Sequence, residues 1–174
     1  MWKSHPVPKT QHTTGNTSPM RILLVCTGNT CRSPLAEVLL RRALTEEGVE
    51  GVEVASAGTG ALGGEPASEG SYLVALENGL DLAAHRARAV TREMLAEADL
   101  VLAMNRSHLR KLALLGAADR SHLLGEYAKT DGEVEVDDPV GGPIEGYRTT
   151  YRQVDELTRR VARRLAAEAT DDRR

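Results

Sequence analysis

The passage from Arg21-Ile-Leu-Leu-Val25 into Cys26-Thr-Gly-Asn-Thr-Cys-Arg-Ser33 and Pro34 constrains the fold of this chain more than any other. A short run of strand formers leads into a glycine-containing loop, and Ser-Pro then opens an amphipathic stretch. That order predicts strand, loop, helix. Ser33 is expected as the N-cap and Pro34 as the first helical residue. Leu35, Val38, Leu39 and Ala43 then share one helical face up to Gly48. A helix start carries unpaired N–H groups and partial positive charge, so a loop wrapped around it makes an anion cradle.

The remaining pattern alternates in the same way. Strands are expected at 52–56, 99–104 and 121–124. Helices are expected at 66–78, ended by Gly79, at 91–97, and at 105–115, ended by Gly116. Tyr147, Tyr151, Val154, Leu157, Val161 and Leu165 make one stripe of a long C-terminal helix. Strands separated by helices imply an α/β sandwich: a central four-stranded parallel sheet with helices on both faces. Ligands of such sheets bind at the carboxyl ends of the strands, where the Cys26–Arg32 loop falls.

A chain of 174 residues fits one domain. Residues 1–19 are polar and rich in Pro, Thr and Ser, and read as a flexible arm before a domain at 20–170. The arm repeats Thr-Gly-Asn-Thr at 14–17, but without a preceding cysteine, a following arginine or a strand. The net charge of −3 gives no reason to expect nucleic-acid or membrane binding. Two cysteines are too few for a disulfide framework, which points to a reducing, cytoplasmic setting.

In the second copy, Gly28 and Asn29 supply turn chemistry, and Arg32 supplies a planar fork for two phosphate oxygens. Thr27, Gly28, Asn29, Thr30, Cys31, Arg32 and Ser33 would together line the cradle. A thiolate on Cys26 would be stabilised by the same N–H groups and would face phosphorus as a nucleophile. The bland alternative is a buried cysteine in an ordinary strand–helix turn.

These residues resemble the low-molecular-weight protein tyrosine phosphatase family. The markers are CTGNTCRSP at 26–34, SAGT at 56–59, GLDLAAHRAR around His85, DLVLAMNRSH at 99–108 and DDPVGG at 137–142. The resemblance implies Cys26 as nucleophile, Arg32 as phosphate clamp and Asp138 as general acid and then base. It implies Asn29, Ser33, Ser56 and His85 as the network that holds the loop. Thr30 resembles the bacterial branch that removes phosphate from arginine, and Val140 stands where tyrosine-specific members usually carry an aromatic residue. Thr30 and Val140 are therefore the expected specificity residues. A protein arginine phosphatase working through phosphocysteine is the first reading. A tyrosine phosphatase is the alternative, and a redox-switched phosphate sensor built on Cys26 and Cys31 is a second. Arsenate reduction lacks a downstream cysteine relay. No cofactor or metal is expected. The expected partners are phosphorylated protein substrates, with inorganic phosphate as product, and the expected state is a monomer.

Overall fold

A computed structural model describes residues 18–173. The expected arm at 1–19 lies almost wholly outside the described residues, as does the first Thr-Gly-Asn-Thr copy. Four parallel strands form one sheet: β1 (Met20–Cys26), β2 (Val52–Gly58), β3 (Leu100–Ala103) and β4 (Ser121–Leu123), in the order β2-β1-β3-β4. β1 pairs with β2 from Met20↔Val52 to Cys26↔Gly58, and with β3 from Ile22↔Leu100 to Val25↔Ala103. The chain leaves β1 on one side, through α1 (Arg32–Glu46), and returns on the other to β3. The carboxyl end of β1 is thus the topological switch point, where a crevice must open.

The strand period of two sorts β1 onto two cores. Ile22, Leu24 and Cys26 face one cluster, built with α1, α2 (Glu69–Glu77) and α6 (Ile144–Asp171). Leu23 and Val25 face the other, with α3 (Arg92–Glu97) and α4 (Arg106–Leu114). The chain has no Phe, and both cores are mainly aliphatic, with Tyr147 and Tyr151 joining the first. The stripe on α6 is buried from Tyr147 to Leu165. No described helix is long and apolar enough to cross a membrane.

Three expectations need correction. Ser33 is not the N-cap of α1: the helix begins at Arg32 with Cys31 at the cap position and no side-chain cap. The Ser33 hydroxyl is used elsewhere, as described below. α2 begins at Glu69 rather than Pro66: Ser68 is extended, with ψ 148°, and its N–H donates to Thr30 O at 2.9 Å in the neighbouring loop. Leu124 belongs not to β4 but to a short helix, α5 (Leu124–Tyr127), packed onto α6.

Candidate active site

Buried polar groups must be paired, so their location marks where the fold invests polarity. Asn29, Arg32, Ser33, Ser56 and His108 are all buried, and all gather around the loop after β1. Asn29 takes a left-handed φ of 54°, a conformation that asparagine tolerates better than most residues. Its side chain then bonds at both ends. Nδ2 donates to Ser33 Oγ at 2.8 Å and to Ser56 Oγ at 2.9 Å, while Oδ1 accepts from Arg88 N at 3.0 Å. His85 Nε2 donates to Asn29 O at 2.6 Å.

The donors and acceptors run in one direction. Both serine oxygens accept from Asn29, so their own hydrogens point onward. Ser56 donates to Glu37 Oε2 at 3.0 Å. Ser33 Oγ lies 3.0 Å from Cys26 Sγ, where its hydrogen can be donated to the sulfur of a thiolate. Glu37 also lies 4.0 Å from His85 Nδ1 and accepts from Arg41, so a carboxylate closes the network from behind.

SAGT braces the same loop from β2. Thr59 N donates to Cys26 O at 2.9 Å and Gly60 N to Thr27 O at 3.0 Å. A Cβ at Gly58 would stand 2.3 Å from Thr27 O, so only glycine lets the two segments meet. Cys31 Sγ bonds Ser68 Oγ at 3.1 Å, and its carbonyl accepts from Ser71 Oγ at 3.2 Å. Both cysteines are free, buried thiols.

The carbonyls of Cys26, Thr27, Asn29, Thr30 and Cys31 all accept hydrogen bonds, but the loop's amides are free. Among the described residues none accepts a hydrogen bond from the backbone N–H of Thr27, Gly28, Asn29, Thr30 or Cys31. Arg32 adds to this set. Its side chain is only 3% exposed; one terminal nitrogen donates to Val136 O at 3.0 Å, and Nε has no partner. Its other terminal nitrogen lies 3.4 Å from Asp138 Oδ2. A concentrated set of free donors beside a buried sulfur is an oxyanion trap.

Asp138 rims this trap on a loop whose root is fixed. Val136 is buried, and its N–H donates to Met104 O at 2.9 Å. Asp138 Oδ1 accepts from Val140 N at 3.1 Å, and Val140 is 61% exposed. Every sequence-expected residue from Cys26 to Ser33, with Ser56, His85 and Asp138, falls in this one assembly. Val140 stands at its outer edge. Glu37, Ser68, Arg88 and the pair Thr27–His108, bonded at 2.8 Å, were not foreseen. Glu37 carried a readable signal: it follows Ser33 by four residues, one helical turn. Among the described residues no three His, Cys, Asp or Glu side chains converge as metal ligands would.

Comparison with known proteins fits this geometry. The sequence profile of the family described as low molecular weight phosphotyrosine protein phosphatase matches residues 21–171. A protein-arginine-phosphatase of Geobacillus stearothermophilus is 40% identical over 153 residues, covering 86% of this chain and 99% of that protein. The low molecular weight protein-tyrosine-phosphatase Wzb of Escherichia coli K12 is 36% identical, covering 84% and 96%. The solved structure of the YwlE arginine phosphatase from Geobacillus stearothermophilus superposes with a TM-score of 0.79 at 39% identity, covering 88% of this chain and 97% of that one. The chain belongs to the low molecular weight phosphotyrosine protein phosphatase family and is a protein phosphatase of that type.

Proposed function

We propose that this phosphatase removes phosphate from phosphoarginine residues of proteins, with Cys26 as nucleophile, Arg32 as clamp and Asp138 as proton donor and acceptor. The observation that carries the reading is the set of unpaired loop amides and Arg32 Nε beside Cys26, with Asp138 on its rim. Cys26 Sγ attacks phosphorus in line. The bond from phosphorus to the guanidine nitrogen breaks, and its electron pair leaves with nitrogen, which takes the proton of Asp138. The loop amides and Arg32 hold the equatorial oxygens throughout. Water then attacks the phosphocysteine and gives its proton to Asp138. The sulfur leaves as thiolate, still accepting from Ser33.

Two residues support arginine as the substrate side chain. Thr30 places a small polar group in the loop, and Val140 leaves the rim without an aromatic wall for a phenol ring. The protein-arginine-phosphatase relative adds to this. The tyrosine phosphatase Wzb, at 36% identity, keeps phosphotyrosine as the second reading. The phosphorylated residue sits in a protein, and the released product is inorganic phosphate. Initial rates on phosphoarginine and phosphotyrosine peptides decide between the two. The expected result is a preference for phosphoarginine of at least about tenfold, abolished for both substrates in Cys26→Ser. A preference for phosphotyrosine would reverse the assignment.

A further inference from the structure

Of the five polar side chains named above as buried around the loop, His108 is the one that belongs neither to the reaction just outlined nor to the network centred on Asn29. It lies on the first turn of α4 and is 1% exposed. Its Nδ1 accepts from Asn105 N at 3.2 Å, half of a reciprocal cap in which Asn105 Oδ1 accepts from His108 N. The ring hydrogen is thereby placed on Nε2, which donates to Thr27 Oγ1 at 2.8 Å. Thr27 is exposed and directly follows Cys26.

A cap does not need histidine. Glutamate or glutamine at this position completes the same box, with its polar end consumed there. Histidine has a second nitrogen on the far side of the ring, and that nitrogen meets the loop. The charged groups acting on it are Arg32, Lys111, Asp138 and Glu135. Burial first, then Arg32 and Lys111, hold its pKa down to about 4 against Asp138 and Glu135. At neutral pH the ring is therefore uncharged and keeps one tautomer. A second proton would remove the acceptor for Asn105 and set a cation near Arg32.

We propose that His108 is a positioning residue of the phosphatase reaction: through its Nε2–H it clamps Thr27 and so fixes the first peptide of the cradle beside Cys26. The inference rests on the function proposed above. It explains why a buried, uncharged imidazole spans from α4 to an exposed side chain of the loop.

The test separates cap from clamp. His108→Asn keeps an acceptor for Asn105 N–H but is too short to reach Thr27. Thr27→Val removes the partner at an exposed position and leaves the cap intact. Both are expected to raise KM for p-nitrophenyl phosphate, and to weaken inhibition by inorganic phosphate, about five- to tenfold, with kcat changed less. The double variant should be no worse than either single one, as expected for two ends of one bond. His108→Gln, which completes the cap and spends its polar end there, should lose phosphate affinity as His108→Asn does while melting no lower than it. Single variants within twofold of the parent, additive losses in the double variant, or phosphate affinities that follow melting temperature would each overturn the clamp. The imidazole proton spectrum needs no turnover: a protected Nε2–H at pH 7, exchanging freely in Thr27→Val, is expected. A parent enzyme without turnover would sink the proposed function, and the clamp would still be read from that spectrum.

Discussion

On the inner wall of the site, from Cys26 to Ser33, almost every side-chain polar atom is tied. On the outer wall, from Asp138 to Gly142, few are. Asn29 alone takes part in bonds to Ser33, Ser56, Arg88 and His85. Asp138 leans on one loop amide and a 3.4 Å ion pair, with 47% of its side chain in solvent. The chemistry explains the contrast. A phosphoryl group is the same whatever carries it, so its cradle gains from being rigid and prepaid. In the proposed reaction Asp138 serves a leaving group that changes from substrate to substrate, so its wall is open and variable.

The largest expected effect breaks the comparison from the outer side. Asp138→Asn keeps the shape and removes the proton, and kcat on a phosphoarginine peptide should fall by about 10²–10³. The loss should be much smaller on p-nitrophenyl phosphate, whose leaving group departs without a proton. Equal losses on both substrates would mean that Asp138 shapes the loop rather than moving a proton.

Next comes the inner wall. Asn29→Ala removes the donors to Ser33 and Ser56 and leaves Arg88 N without its acceptor. It also asks alanine to hold φ near 54°. A stability loss of roughly 3 kcal/mol is expected from the unsatisfied groups and the strain together. Turnover should fall about 10- to 100-fold, to a similar degree on every substrate, since the cradle is common to all. Denaturant unfolding and parallel assays on two substrates check both halves. A substrate-dependent loss would contradict the division between walls.

The pH dependence of stability sharpens the same point. His108 titrates at about 4 in the folded protein, against an ordinary 6.5, so the unfolded chain binds the extra proton between those values. Its contribution is complete above pH 6.5, declines as pH falls toward 4, and changes no further below that. The shift corresponds to roughly 3 kcal/mol of stability across the window. Urea unfolding at pH 7, 5.5 and 4.5 should show this slope in the parent and a flatter one in His108→Asn. Identical slopes would place the acid sensitivity in other groups.

The inner wall was also the more legible in sequence, because its logic is local. Strand β1, the loop and α1 follow one another, and the residues of the proposed chemistry from Cys26 to Arg32 lie within a few positions. The long stripe on α6 could be read from its period for the same reason. What escaped reading depends on contacts between distant segments. His108 reaches Thr27 across 81 positions, and Ser68, extended before α2, meets Thr30 across 38 positions. The N-cap was misplaced because Ser33, a good cap by type, turns its hydroxyl to Cys26 instead. Local preference yields where a buried sulfur needs a donor. α5 has too few residues for any period to announce it.

The smallest expected effect lies at the exposed end of the outer wall. Val140 is 61% exposed, and its side chain contributes to no core; only its N–H is committed, to Asp138. Val140→Phe therefore leaves the fold and the acid in place and adds a flat apolar face at the rim. A phenol ring gains from such a face by stacking, worth about 0.5–1.5 kcal/mol. The ratio of kcat/KM for phosphotyrosine over phosphoarginine should rise by about two- to tenfold, mostly through KM for the tyrosine peptide. Inhibition by inorganic phosphate should stay within twofold of the parent, because phosphate meets only the inner wall. If the substitution weakened phosphate binding as much as it changed the substrate ratio, the two walls would not be separable.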